Sequence, residues 1–221
     1  MNEPAVMEVP NKTFPMDVRH DYDGNPCSHR KAHNIYGTQM ARATYHGVKR
    51  FAYPKRPFVI TRSAYAGAQR YSSSWTGDNV ASWEHLWIAN IQMQRMSISG
   101  MGFTGSDIGG FAEQPSGELY ARWIQLGVFH PFCRTHSSGD HGDQEPWAFD
   151  EEVTNIIRKF VNLRYQLLPY LYTMFWQYIE QGIPMLKPLV YYDQDDIQTH
   201  YRNDEFIFGN QILVCPILEP N

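Results

Sequence analysis

An α/β fold is what the sequence predicts, and three observations predict it. Short apolar runs rich in β-branched and aromatic residues alternate with helix-length stretches. Each run ends in charged or polar side chains, and the helices stop after Gly182, where strand-like runs follow one another directly. Alternating strands and helices form βαβ units around a parallel sheet, and reactive side chains at the carboxyl ends of the strands are the mark of a (β/α)8 TIM barrel. The expected architecture is therefore the C-terminal half of such a barrel over residues 1–182, followed by the start of an antiparallel β-domain over 183–221.

The elements justify this in order. Ile35, Met40, Ala43 and Val48 share one side of a helix expected over Asn34 to Lys49. A Pro-marked turn leads to Phe58-Val59-Ile60-Thr61, read as a buried parallel strand with Arg62 at its carboxyl end. Tyr71 to Trp75 is the next strand, ending at Gly77-Asp78-Asn79, and a helix over Ala81 to Ser97 follows. Met101-Gly102-Phe103 is expected as a strand leading to Asp107, with a helix from Gly117 to about Leu126. Val128 to Phe132 is expected as a further strand that ends at Arg134 and His136. Glu151 to Gln181 reads as a long helix containing Pro169 and closed by Gly182 and Pro184. Met185 to Tyr192 and Glu205 to Ile217 are then strands separated by a polar turn with no helix between them. Four strand–helix units are half of what a closed barrel needs, so the barrel's N-terminal half is expected to precede Met1 in a full-length chain.

Composition excludes several classes. With 43% hydrophobic and 19% charged residues the 221-residue chain is ordinary for a folded domain, and at a net charge of −4 without basic clusters it carries no footprint for nucleic acid. No apolar run is long enough for a membrane span. Cys27, Cys133 and Cys215 lie far apart, in neither a disulfide framework nor a CxxC metal pattern. The 14 Tyr, 12 Phe and 6 Trp are abundant; aromatic faces stack on sugar rings, and they also fill cores.

Asp78 is the leading candidate for chemistry. It lies in Trp75-Thr76-Gly77-Asp78-Asn79, a Gly-assisted turn at a strand end, beside an indole able to exclude water and raise a carboxyl pKa as a proton donor requires. The competing reading is an Asp that caps the following helix. Arg62 stands at a strand end as a holder of a carboxylate or of a sugar hydroxyl, or as one half of a structural ion pair. Asp107, in Gly105-Ser106-Asp107-Ile108-Gly109-Gly110-Phe111, occupies a glycine-rich turn that lets a ligand approach closely, and this turn lacks the Lys-Ser/Thr of a phosphate loop. His136 is a candidate hydrogen-bond donor or a structural histidine. Two clusters, Cys27/His29/His33 and His136/Asp140/His141/Asp143, invite a metal reading, but neither has a specific ligand spacing, and no metal or cofactor is assigned. No GxSxG occurs. Asn11-Lys12-Thr13 is a glycosylation sequon too short to carry weight.

Taken together the motifs resemble glycoside hydrolase family 31, the α-glucosidase and α-xylosidase family. Met1-Asn2-Glu3-Pro4 matches the end of its Asp-Met-Asn-Glu-Pro nucleophile loop, which puts the nucleophilic Asp one position before Met1. Trp75 to Asn79 match Trp-x-Gly-Asp-Asn, Arg62-Ser63 the Arg-Ser ahead of it, Asp107 to Phe111 Asp-Ile-Gly-Gly-Phe, and Phe132 to His136 Phe-x-Arg-x-His. By resemblance Asp78 is the general acid/base. Arg62 and His136 bind the sugar of the first subsite, Met1, Trp75 and Phe111 line it, Asp107 is a site-lining carboxylate, and Glu3 supports from behind. His33-Asn34-Ile35-Tyr36-Gly37 and Glu145-Pro146-Trp147 are similar to the neutral α-glucosidases, the subgroup of the processing glucosidase II catalytic subunit. The resemblance implies a retaining, exo-acting α-glucosidase acting on an α-glucoside oligosaccharide or glycan, with this chain inactive by itself for want of the nucleophile. The alternatives are an α-xylosidase or transglycosylase with the same carboxylates, and a non-catalytic sugar-binding or structural fragment.

Overall fold

The structure, a computed structural model, describes residues 3–220, and the chain divides between Ser74 and Trp75 into two compact units. In the first, β1 (Arg19–His20) pairs antiparallel with β2 (Cys27–Ser28), with His20 opposite Cys27. The chain turns at once into α1 (His29–Ala32), a 3-10 turn over His33–Ile35 and α2 (Tyr36–Phe51). The expected helix is therefore present and displaced by two residues at each end. Gly37 lets α2 sit directly against Ser63: a Cβ there would run into both the side chain and the carbonyl of that serine. β3 (Ile60–Thr61) and β4 (Ser73–Trp75) pair in parallel, Ile60 opposite Ser73. They are the carboxyl ends of the two longer strands expected, and a 3-10 turn over Ala68–Arg70 takes up the intervening chain. The buried apolar residues of this unit are small, Cys27, Ala32, Ala41 and Ala68, and much of its interior is polar: Thr13, His29, Thr38, Thr61, Ser73 and Ser74 are all buried.

The second unit holds the larger core. α3 (Trp83–Ile98) starts at Ser82, whose hydroxyl accepts from the His85 N–H at 3.2 Å, so Ser82 and not Asp78 caps this helix. β5 (Thr104–Gly105) and β6 (Asp107–Ile108) follow one residue apart, downstream of the strand expected at Met101–Phe103. Asp107 thus lies within a strand rather than in the turn after one. α4 (Gly117–Gly127) is capped by Ser116 and buries Leu119, Tyr120, Trp123, Ile124 and Leu126 along one side. β7 (Arg134–Thr135) pairs in parallel with β6, Arg134 opposite Asp107.

The strand expected at Val128–Phe132 does not form. Phe129 and His130 donate their N–H groups back to Leu126 and Gly127, both at 3.0 Å, and Pro131 has no N–H to give, so the segment leaves α4 as a series of turns. Its free carbonyls are taken up by Arg164, which donates to Val128 at 2.8 Å, His130 at 2.7 Å and Pro131 at 2.9 Å. Arg164 belongs to α5 (Glu151–Gln181), which begins at the capping carboxylate of Asp150, contains Pro169 and ends at Gly182 with φ +70°.

The tail forms a three-stranded antiparallel sheet, β8 (Leu186–Lys187), β9 (Phe206–Phe208) and β10 (Ile212–Val214), with β9 in the middle. The linker between the first two strands is not helix-free as expected. It carries 3-10 turns at Leu189–Tyr191 and Ile197–His200, the second started by the Asp196 carboxylate on the Gln198 N–H. The sheet is tied to α3 by Ser97, which accepts from the Leu186 N–H at 2.9 Å, and by Asn90, which donates to the Asn203 carbonyl at 2.6 Å. α3, α4, α5 and this sheet enclose one continuous apolar cluster, from Leu86 to Leu218.

Candidate active site

The candidate residues of the second unit converge on the loops that follow β4 and β6. Thr76 donates its N–H to the Gly105 carbonyl at 3.1 Å, after which Gly77 turns the chain with φ +89°. Thr76 Oγ1 donates to Asn79 Oδ1 at 2.7 Å, and the Asn79 carbonyl accepts from Phe111 at 2.7 Å and Ala112 at 3.0 Å. The turn bearing Asp78 is thus fastened to the Gly109-Gly110-Phe111 turn. Gly110, with φ +91°, packs its Cα against the backbone of Ala81 where no side chain would fit. Asp78 itself is exposed. The indole of Trp75 does not bury it, contrary to the dry setting expected for a proton donor.

Asp107 is the buried carboxylate of the group, with no exposed side-chain surface. Burial pushes its pKa up to about 6; the Arg134 guanidinium and His136 pull it down, and the charge of Asp78 adds to the rise. Arg134 donates from Nε to Asp107 Oδ1 at 3.0 Å and lies 5.1 Å from the ring of Trp75 and 5.2 Å from that of Phe132. His136 is exposed and packs its ring 5.2 Å from that of Phe111. The Ser138 N–H donates to the Phe111 carbonyl at 2.9 Å, which folds the loop after β7 over the Gly109-Gly110-Phe111 turn. The structure therefore brings Trp75, Asp78, Asp107, Phe111 and His136 together with Arg134, which the sequence placed at a strand end without a role of its own. Its signals were its place at the expected strand end and as the Arg of the Phe-x-Arg-x-His stretch. The β6–β7 register that sets it opposite Asp107 was hidden by the expectation of a strand at Val128–Phe132.

Arg62 lies in the first unit, half-buried, and forms a bidentate pair with Glu3, its Nη2 donating to Glu3 Oε2 at 2.9 Å and its Nε to Glu3 Oε1. Met1 lies outside the described residues. Among the described residues no group of three or more His, Cys, Asp or Glu side chains converges as metal ligands do. His29 instead joins a hydrogen-bonded row, its Nδ1 2.9 Å from His20 Nε2 and its Nε2 3.0 Å from both His33 Nδ1 and Thr13 Oγ1. Burial and the neighbouring histidines lower its pKa. A cleft of about 520 Å³ in the first unit is lined by His20, Tyr36, Met40 and the Asp23–Arg42 ion pair. Among the described residues no helix is long and apolar enough to cross a membrane.

The 46% identical Alpha-glucosidase 2 of Bacillus thermoamyloliquefaciens and the 42% identical Glucosidase 2 subunit alpha of Saccharomyces cerevisiae each match all of this chain, over 28% and 23% of their own lengths. The chain spans about a quarter of the length of these curated relatives. A crystal structure of glucosidase II alpha subunit in its Glc1Man2-bound form superposes with a TM-score of 0.95 at 38% identity, over all of this chain and 24% of that one. Residues 1–174 match the glycosyl hydrolases family 31 TIM-barrel domain and residues 182–221 the family's C-terminal domain, so the chain belongs to glycosyl hydrolase family 31.

Proposed function

We propose that these residues form part of a retaining, exo-acting α-glucosidase, in which Asp78 is the general acid/base and Asp107, His136, Trp75 and Phe111 line the first sugar subsite. The observation that carries the reading is the gathering of a solvent-accessible carboxylate, Asp78, with a buried carboxylate, an exposed imidazole and an indole on loops fastened to one another. An acid/base must meet both a leaving oxygen and water, and an exposed carboxyl at the tip of a fixed turn does so. Similarity to proteins named α-glucosidase supports the substrate class. We take residues 1–182 as the C-terminal half of the catalytic (β/α)8 barrel and 183–221 as the start of the β-domain.

The reaction is a double displacement. A carboxylate attacks the anomeric carbon while Asp78 protonates the departing glycosidic oxygen, and Asp78 then takes a proton from the water that releases the glycosyl-enzyme, so two inversions return the α configuration. Retaining pairs stand about 5 Å apart, close enough for direct attack. The attacking Asp, placed by resemblance ahead of Met1, is not among the 221 residues. The chain alone is therefore expected to give no turnover of an aryl α-glucoside, while a protein that also supplies the preceding barrel segment hydrolyses it and loses that activity in Asp78→Asn. Robust hydrolysis by the chain alone, or an Asp78→Asn protein as active as the parent, rules the assignment out.

A further inference from the structure

We propose that Arg134 is the positioning residue of this site: its planar fork fixes the buried Asp107 carboxylate and the Trp75 indole in one arrangement. This rests on the reading that Asp107 and Trp75 line the sugar subsite. Arg134 and Asp107 are register partners on adjacent parallel strands, a placement set by the backbone ladder rather than by a flexible loop. A guanidinium and a carboxylate facing each other ordinarily close two parallel hydrogen bonds. Here the geometry allows one, Nε to Oδ1 at 3.0 Å, because the guanidinium is also held against the rings of Trp75 and Phe132.

The result is a cluster of unspent polar atoms. Asp107 Oδ2, Arg134 Nη2 and Trp75 Nε1 are each buried and lack a hydrogen-bond partner among the described residues. Buried donors and acceptors left unmatched are costly and uncommon, so the packing that holds these three in place does so against that cost. Arg134 is needed twice in this arrangement. Its charge keeps Asp107 an acceptor against the burial that favours protonation, and its fork sets the direction in which Oδ2 points.

The groups acting on Asp107 are Arg134 from β7, His136 from the loop after it and Asp78 from the loop after β4. Behind β6, α4 presents Tyr120, whose hydroxyl donates to the Gln144 carbonyl at 2.6 Å. The charge and direction effects separate in two substitutions. In the chain itself, the carbon-13 carboxyl signal of Asp107 is expected to titrate near the value of about 6 given above, to move up by about one unit or more in Arg134→Gln, and to stay put in Arg134→Lys, which retains the charge. An Asp107 midpoint unmoved in Arg134→Gln overturns the inference whatever the enzyme does.

In a protein completed with the preceding barrel segment, Arg134→Gln is expected to shift the acid limb of kcat/KM to higher pH. Arg134→Lys is expected to leave that limb in place while lowering kcat about tenfold with little change in KM, because an ammonium cannot reproduce the fork. A kcat unchanged in Arg134→Lys overturns the positioning role, and this conservative variant carries the decision if Arg134→Gln does not fold. A parent protein without α-glucosidase activity defeats the functional reading instead, and the Asp107 titration still decides whether Arg134 governs that carboxyl.

Discussion

At the scale of single residues, burial decides what each polar group does. His130 is wholly buried, neither ring nitrogen has a partner among the described residues, and burial together with the Arg164 charge lowers its pKa to about 3. The unfolded chain takes up a proton near the ordinary 6.5 and the native His130 does not until about 3. The unfolded state therefore binds more protons across that window, and stability present above 6.5 is lost as pH falls towards 3. Arg164→Gln removes the cation but leaves the burial, so the informative change is His130→Leu. Its urea-unfolding free energy is expected to fall less between pH 7 and pH 5 than that of the parent, and equal slopes would show that His130 is not the titrating group. Gly105 is a second residue-scale case. An added Cβ would sit inside the Phe132 carbonyl, so Gly105→Ala should cost about 3 kcal/mol or more in a denaturant melt, because the contact is backbone on backbone and cannot relax by a rotamer change. Neither fact was legible in the sequence. His130 lay in what looked like an apolar strand and Gly105 in what looked like a ligand-binding turn, and only packing shows that one is orphaned and the other spaces two segments.

At the scale of elements, helices were more legible than strands. α3 and α4 lie within two residues of where the sequence puts them, because a helix is signalled by residues a few positions apart. Ser116→Ala should cost about 1 kcal/mol by removing the acceptor for the Leu119 N–H, measured as a lower midpoint at an unchanged denaturant slope. The strands are two or three residues long, and the Val128–Phe132 run has the composition of a strand without being one. A strand exists only through a partner, and the partner's place is set by residues far away in the chain. α5 shows a further element-scale feature. Val161, Tyr165, Leu168, Tyr172, Trp176 and Ile179 recur at helical spacing and are all exposed, a contiguous apolar stripe of the kind that binds or aggregates. The chain is expected to bind a hydrophobic dye and to associate with rising concentration. The double change Tyr165→Lys with Trp176→Lys should abolish both at unchanged helicity, measured by light scattering and circular dichroism; persistent association would place the sticky surface elsewhere.

At the scale of the whole molecule, the apolar cluster belongs to residues from Leu86 onward, while the unit ahead of Trp75 buries small and polar side chains. Buried apolar area is the main source of folding free energy, so amide exchange is expected to be slowest in α3, α4 and α5 and faster by orders of magnitude in α2. Equal protection in both units would contradict that distribution. The sequence by itself determined the alternation of helices with short strands, the change of architecture after Gly182 and the motifs that carry the family resemblance. These depend on contiguous residues, whose periodicity, caps and glycines act locally. Tertiary structure alone decided that Asp78 is exposed and Asp107 buried, that Val128–Phe132 is a turn held by Arg164, and that Arg134 stands opposite Asp107. Desolvation and strand register arise from segments brought together across tens of residues, and no window of the chain contains both partners.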